Sequence, residues 1–392
     1  MLYNRAEGSI SGSGRITSAF NNQGSLVVDA GQIRVDQSFA NPGQILLGAN
    51  AATLSGGQIA NQGLIQGFGK INNNIANTVP TGVIEAQGGT LTLAGQIVGP
   101  NGGMLVAGSG AKLLISQGLA RNAGQIQLAG GTFDNNGQAL VNEAAGSING
   151  FGTLRAGTID NRGQIFLSGG SSAVRADVVA ETGSAIIISG LSNTTFYGTV
   201  EVKGGAELRV SEGSVATFAG HVQQRTGADV NGDGLALFEG GLGLGASPGY
   251  GYIQGSVTFA SSNTYEAEIG GLTACTLACA TDDALKNSSF DKLVVGGKLK
   301  LGGRLTLTSW NGFVAQAGQS FDLLDWGTTS GIFKSIDGSG LKLAAGTHLD
   351  YSQLYTTGTV SVSAVPEPES YALLLAGLGV IGFVARRRRA AA

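Results

Sequence analysis

The chain has 392 residues, of which 67 are glycine and only 12% are charged, with a formal net charge of −3. Only six prolines are present, so the glycine content indicates neither collagen nor a proline-rich linker. A hydrophobic share of 42% is enough to build a core and excludes wholesale disorder. The net acidic balance, with a single basic cluster at the C-terminal end, excludes a nucleic-acid partner.

The first residues, MLYNRAEGSI, contain no apolar segment typical of a signal peptide. Gly8 opens GSISGSGRI (8–16), which is nearly repeated as GLIQGFGKI (63–71) and GSINGFGTL (146–154). The chain therefore starts a few residues before a unit that recurs inside an array. We expect an N-terminally truncated product or a misassigned start.

Glycines recur at intervals of roughly 20 residues from Gly8 to Gly227, separated by short apolar runs without a helical period. A period near 20 without helices predicts a β-solenoid over residues 1–227, with two or three short strands per turn and Gly/Asn corners. The alternative is a low-complexity linker, against which the regular β-branched clusters argue. The predicted column is Gly8, Gly24, Gly43, Gly63, Gly82, Gly103, Gly124, Gly146, Gly163, Gly183, Gly205 and Gly227.

Several asparagines precede a column glycine by two residues. In register, their amides would stack and hydrogen-bond along the solenoid axis. We expect Leu, Ile and Val to fill a narrow core that leaves no room for aromatic packing. These asparagines are Asn22, Asn41, Asn61, Asn101, Asn122 and Asn161.

In period and style these repeats resemble the β-helical passengers of autotransporter and filamentous-haemagglutinin-type adhesins. The period lapses after Gly227. Residues 228–362 contain further strand-like segments and are predicted to form an all-β module that continues or caps the solenoid.

DVNGDG (229–234) matches the first half of an EF-hand loop, with Asp229, Asn231 and Asp233 at the oxygen-ligand positions. Position 12 is Gly240 instead of a bidentate glutamate. We therefore expect a polar β-turn, with a calcium site as the alternative and no other cofactor.

Cys275 and Cys279 lie in an apparent insertion, 272–289. In an exported protein a disulfide closing this loop is expected, because two cysteines without a nearby histidine do not make a zinc site.

GASPG (245–249) matches the G-x-S-x-G sequence pattern of a nucleophile elbow. In that motif the residue after the serine donates its N–H to the oxyanion hole, and Pro248 has no N–H. We predict a turn there and no catalytic residues anywhere.

The last part of the chain, 363–392, combines VPEP, an uncharged apolar helix predicted at 370–385 and four arginines, Arg386, Arg387, Arg388 and Arg389. The apolar run is short for a span of about 20 residues. The arginines favour a cytoplasmic end, which places the rest of the chain outside. A buried core helix is the alternative.

This order resembles the PEP-CTERM sorting signal of Gram-negative bacteria, also called the ice-binding-protein C-terminal domain. The resemblance implies recognition of Pro366, Glu367 and Pro368 by an exosortase, a membrane transpeptidase. It also implies a transient single-pass anchor before processing, with the arginines as stop-transfer charge.

The first functional expectation is a non-catalytic, exported structural or adhesive protein of the cell envelope, with exopolysaccharide as a further partner. One alternative is a glycan-acting β-helix enzyme, which needs a facing acid/base pair. The other is an ice- or mineral-binding protein, which needs a flat threonine column. Thr90 and Thr92 supply only one threonine pair.

Overall fold

The computed structural model describes residues 1–365 and 368–389, with side chains described for 1–365 and 373–387. Strands account for 56% of the chain and helices for 6%. The strands wind into a β-solenoid of about 13 turns with about 21 residues per turn, which confirms the predicted all-β solenoid. At about 4.8 Å per turn, the rod is about 60 Å long.

Each turn places strands on three faces, and the same face of successive turns pairs in parallel register, as in Leu26 with Ile45 and Ile45 with Ile65. The strands confined to the first face are Ser9–Ser11, Ser25–Val28, Met104–Ala107, Gln164–Ser168, Ala185–Ser189, Glu207–Val210, Asp229–Asn231 and Tyr250–Ile253. Those confined to the second face are Gly14–Ile16, Gln32–Val35, Lys112–Ile115, Asn193–Phe196, Val215–Phe218, Leu235–Phe238 and Ser256–Phe259.

The third face holds the largest set of separate strands. These are Leu2–Asn4, Phe20–Asn22, Phe39–Asn41, Ile59–Asn61, Ile75–Ala76, Arg121–Asn122, Leu140–Asn142, Val200–Val202, Val222–Gln224, Leu242–Leu244, Thr264–Ile269, Arg304–Ser309 and Ser335–Gly340. Longer strands turn a corner and serve two or three faces: Gln44–Gly56, Leu64–Ile71, Val83–Leu93, Gln125–Asp134, Ser147–Asn161, Ser171–Ala180, Lys292–Leu301 and Leu324–Gly331.

Alternating side chains fill the core. In Ala185–Ser189, for example, Ile186 and Ile188 are fully buried while the residues between them face outward. This period of two is what a half-buried strand dictates. Stacking then joins equivalent inward residues of every turn into continuous apolar columns.

The core also contains aromatic side chains, so the expectation of a purely aliphatic interior is wrong. Phe196, Phe218, Phe238 and Phe259 are equivalent residues of consecutive turns, with ring centroids 5.3, 5.2 and 6.0 Å apart. The parallel register of the second face places these four residues at the same position of successive turns, so the ring of one turn contacts the ring of the next. Such pairs add about 0.5–1.5 kcal/mol each beyond their buried area.

One corner of the third face carries the predicted asparagine ladder. Each amide donates to the side-chain oxygen of the next asparagine, at 2.7–2.9 Å. The Nδ2 groups also donate to backbone carbonyls, as Asn22 does to Gln44. The ladder is longer than predicted, because Asn4, Asn77 and Asn142 precede their glycines by four or five residues. Its members are Asn4, Asn22, Asn41, Asn61, Asn77, Asn101, Asn122, Asn142 and Asn161.

The glycine column lies beside this ladder and runs from Gly8 to Gly163. A Cβ at Gly124 would stand 2.2 Å from the Gly103 carbonyl oxygen, and Gly43 and Gly63 meet the same obstacle. Gly183, Gly205 and Gly227 do not continue the column, which corrects the predicted register. Their φ values of +83°, +76° and +86° place them in turns, and Ser184 takes the column position after Gly163.

The three near-identical sequence stretches, 8–16, 63–71 and 146–154, are explained by the local backbone conformation that they adopt. Gly67 and Gly69 have φ of +116° and +138°, and Gly150 and Gly152 have +96° and +136°. These pairs turn the chain from the first face to the second within one strand, a conformation that glycine adopts without strain.

Parallel pairing continues past residue 227 to the strand Ser335–Gly340. The sequence period lapses there because residues 270–291 interrupt one turn. This insertion holds Thr273–Ala274, the 3₁₀ helix Leu277–Ala280, helix α1 (Asp283–Asn287) and Ser289–Phe290. A separate antiparallel sheet combines Ser320–Asp322, which precedes the last two solenoid strands, with Thr347–Asp350 and Thr359–Ala364, which follow them. Helix α2 (Pro368–Arg389) ends the described chain.

Candidate functional site

The C-terminal tail follows the antiparallel sheet without a spacer. Ala364 pairs with Thr347, and the Val365 N–H donates to the Gly346 carbonyl at 2.8 Å. Of the predicted recognition residues, Pro366 and Glu367 lie outside the described residues. Pro368 is the first residue of helix α2, a position where proline is tolerated because that N–H would be unpaired anyway.

Helix α2 is longer than the predicted 370–385, since it starts at Pro368 and continues through the arginines to Arg389. Its apolar side chains, such as Leu373 and Phe383, are exposed and contact no part of the solenoid core. Arg386 and Arg387 are exposed, and the side chains of Arg388 and Arg389 lie outside the described set. This exposure argues against the alternative of a buried core helix.

Within the part of the chain that the structure describes, none of the helices combines the length and the apolar character needed for a membrane span.

The predicted calcium ligands lie on a solenoid strand and the turn after it. Asn231 Nδ2 donates to Asp229 Oδ2 and to Glu207 Oε1, both at 3.0 Å, while Asp233 Oδ1 accepts from Gln254. Gly232, with φ of +88°, makes the turn. Across residues 1–365 and 368–389, no three His, Cys, Asp or Glu side chains are grouped so that they could hold a metal ion.

The insertion folds back over the predicted Ser-Pro-Gly turn. A disulfide joins Cys275 and Cys279, both buried, and Cys275 Sγ lies 3.1 Å from the Pro248 carbonyl oxygen. Asp291 at the end of the insertion accepts from the Gly249 and Glu268 N–H groups. The insertion is therefore fixed to the solenoid at both its disulfide and its last residue.

Oppositely charged side chains form a row along the outside of the third face. Lys203 Nζ contacts Glu181 at 2.7 Å, and Arg225 Nε contacts Glu201 at 2.8 Å. The hydrogen bond to Glu181 raises the pKa of Lys203. Further pairs in this row are Arg121 with Glu143 and Arg162 with Asp160.

The insertion and the third face enclose a cleft of 610 Å³. Its charged lining consists of Lys203, Arg225, Lys286 and Glu201, and Cys279 belongs to its outer wall. Arg225 also donates through Nη1 to the Gly245 carbonyl at 2.9 Å, which fixes the guanidinium in the cleft.

A second cleft, of 420 Å³, lies around the corner on the first face. It is lined by Asp229, Tyr250, Tyr252 and the insertion residue Leu277. Both clefts share Gly227, and residues of one short 3₁₀ helix border both. We call these two connected clefts the corner groove.

A smaller pocket of 130 Å³ lies beside Arg225 and is lined by Glu266, Glu268 and Asp291. Burial raises the pKa of Glu268, with a smaller contribution from Glu266. Burial also raises the pKa of Asp291 well above its usual range, against the two backbone N–H groups that favour its charged form.

Sequence reasoning missed the corner groove, although one signal for it was present. Glu181, Lys203 and Arg225 are each 22 residues apart, one solenoid turn in that region. This spacing alone predicts that the three charged side chains occupy the same position in three successive turns.

The second face carries a threonine column that the sequence did not reveal. Thr90 is followed in the next turn by Lys112 and Thr92 by Leu114, so the predicted pair is not repeated. The column continues beyond Lys112, and Ala173 and Leu237 interrupt it. Its threonines are Thr132, Thr153, Thr195, Thr217 and Thr258.

Residues 364–389 match the PEP-CTERM protein-sorting motif. Together with the fold, this match defines an exported cell-envelope protein with a β-solenoid body. The motif is the substrate signal for exosortase, so a membrane-bound processing partner follows from it. No curated protein and no solved structure matches the chain.

Proposed function

We propose that this chain is a non-catalytic rod that a Gram-negative bacterium displays at its envelope, as a structural or adhesive surface protein. The observation that carries this proposal is the sorting motif attached directly to a solenoid of about 13 turns. A rod of about 60 Å holds its outer end away from the membrane, and its faces offer an extended binding surface.

In this proposal helix α2 anchors the chain transiently, with Arg386 to Arg389 held on the cytoplasmic side. Exosortase acts near Pro366 to Pro368 and separates the helix from the rod. Because Val365 is still bonded to the antiparallel sheet, the mature rod ends in folded structure.

The test is expression in a host that contains exosortase. Replacing Pro366 and Glu367 by alanine is expected to prevent processing, seen as the full-length mass and a membrane-associated chain. Replacing the four terminal arginines by serine is expected to disturb orientation in a protease-accessibility assay. Arg209→Ser with Arg304→Ser, two arginines of the rod, serves as control and should change neither readout. Processing that ignores the Pro366/Glu367 change would contradict the proposal.

The surface chemistry supports a non-catalytic role. Glu181 and Glu201 on the third face are paired with Lys203 and Arg225 instead of facing each other across a substrate-sized space. The pocket beside Glu266 and Glu268 encloses 130 Å³, below the range of about 300–1,000 Å³ for ligand pockets. Hydrolysis of an extracellular glycan by the wild-type protein, lost in Glu268→Gln, would favour the enzyme alternative.

The threonine column supports a second candidate, binding to ice or a mineral surface. Thr195 and Thr217 are paired residues of neighbouring turns on the second face, at the spacing of a parallel sheet. Thr195→Lys with Thr217→Lys should abolish inhibition of ice recrystallisation if this face acts so. Wild-type protein without inhibition would eliminate the ice-binding candidate.

A further inference from the structure

The corner groove brings charged, aromatic and disulfide-linked elements together in one concave surface. Its outer wall is the insertion 270–291, which the parallel ladders do not need, since strands on both sides pair with each other across it. The disulfide and the Asp291 bonds hold this wall in place. The disulfide therefore braces the wall internally, and Asp291 ties it to the solenoid.

The third-face end of the groove is suited to anions. Lys203, Arg225 and Lys286 line it together with one carboxylate, Glu201. Each cation also has an acidic partner, which is Glu181 for Lys203, Glu201 for Arg225 and Asp283 for Lys286. Arg225 offers five N–H donors and Lys203 three, and their bonds to Glu201, Gly245 and Glu181 use only some of them. The remaining donors are available for charge-assisted bonds to a carboxylate, which are stronger than neutral ones.

The first-face end is suited to a ring with apolar faces and hydroxyl edges. Tyr250 and Tyr252 alternate on one strand and point to the same side, about 7 Å apart along the strand. Tyr252 is 42% exposed, so its ring is accessible. The Asp229 carboxylate lies in the same lining and can accept hydrogen bonds from hydroxyl groups.

We propose that the corner groove binds a segment of an acidic polysaccharide, with carboxylates at Lys203 and Arg225 and a sugar ring against Tyr252. The two clefts meet at Gly227, so neighbouring units of one polymer can occupy both. This inference rests on the proposed surface role, because a displayed rod meets such polymers outside the cell. An acidic peptide is the competing ligand. The groove favours it less, because Leu277 and Val230 are the two aliphatic side chains larger than alanine that line the groove and could contact apolar peptide side chains.

The experiment is calorimetric titration of the full chain, in detergent, with an alginate hexasaccharide. The same hexasaccharide with its carboxyl groups reduced to alcohols is the neutral probe. Arg225→Gln, Lys203→Gln and Tyr252→Ala should each weaken binding of the acidic probe about tenfold, the effect of losing one charged hydrogen bond or ring contact. Lys203→Gln is the second cationic variant in case Arg225→Gln loosens the Gly245 turn.

The matched control is a cation and tyrosine outside the groove. Arg175 stacks on Tyr197 at 4.2 Å from the ring centroid, and Tyr197 is 47% exposed. Arg175→Gln with Tyr197→Ala should bind the acidic probe like the wild type, and all variants should keep the wild-type circular dichroism spectrum.

Equal affinity for the neutral probe, equal loss in the control variant, or displacement of the hexasaccharide by hexa-aspartate at the same concentration would overturn the inference. Exosortase processing is measured separately on Lys203→Gln. Normal processing with lost saccharide binding supports the groove, whereas failed processing of the wild type would count against the proposed delivery and leave the binding result intact.

Discussion

Asn122 lies in the middle of the asparagine ladder, and its replacement by alanine should be among the costliest single changes in the rod. It accepts from Asn101 at 2.8 Å and donates to Asn142 at 2.9 Å, and all three side chains are buried. Asn122→Ala therefore leaves one donor and one acceptor unpaired. At about 1–3 kcal/mol for each buried unsatisfied group, the loss is about 2–6 kcal/mol.

The control is the last member of the ladder. Asn161 accepts from Asn142 and, like Asn122, donates to a backbone carbonyl, here that of Ala185, but it donates to no further asparagine of the ladder. Asn161→Ala therefore leaves only one ladder partner unpaired. We expect about half the cost. The free energy of unfolding from urea titration, followed by circular dichroism, measures both. Hydrogen exchange should locate the weakening in the turns next to residue 122, because each turn contacts only its neighbours. Equal costs at the two sites would refute a continuous ladder.

Three further changes test other parts of the account. Gly124→Ala should be severely destabilising because its Cβ would meet the Gly103 carbonyl oxygen at 2.2 Å; Gly48→Ala, whose nearest neighbour would be at 3.5 Å, should be nearly neutral in thermal unfolding. Burial alone would raise the pKa of Asp134, but the hydrogen bond from Lys112, the Asn136 N–H and the nearby charges lower it overall. Its contribution is therefore present above the unfolded pKa of 3.8 and is lost as pH falls below that value, so acid titration should destabilise the wild type more steeply than Asp134→Asn. Reduction of the Cys275–Cys279 disulfide should remove about 2 kcal/mol of local constraint and open the insertion to protease, while the strand signal in circular dichroism stays unchanged; cleavage first within the solenoid would contradict this.

The solenoid could be predicted because its signals are local and repeated. Stretches such as GSINGFGTL encode a corner that the chain makes within a few residues, and the period then dictates the pairing. The Asn-x-Gly spacing revealed six of the ladder's members. It missed Asn4, Asn77 and Asn142 because the corner there contains additional residues, and a spacing rule cannot follow a corner whose length varies.

The corner groove could not be predicted for a different reason. Tyr252 and Arg225 are 27 positions apart, and Lys286 belongs to an insertion whose path depends on the disulfide and on Asp291. No periodic rule positions an insertion. The aromatic stack was missed because the width of an inward column depends on the residues that successive turns supply. A ring fits where the neighbouring turns also supply rings, and this is a property of the assembled rod.

The asparagine ladder and the glycine column end at the same turn, and their coupling yields a final prediction. A Cβ at Gly146 would lie 2.6 Å from Asn142 Oδ1, so glycine makes room for the amide. One turn further on, Ala180 replaces the asparagine and Ser184 the glycine. Ala180→Asn alone should be destabilising, because the new amide would meet the Ser184 side chain. Adding Ser184→Gly should recover most of the loss and extend the ladder, with Asn161 as its new donor. In a double-mutant cycle, the combined change in unfolding free energy should differ clearly from the sum of the two single changes. Simple additivity would show that the two columns end together by coincidence of sequence and that the amides do not depend on the glycines beside them.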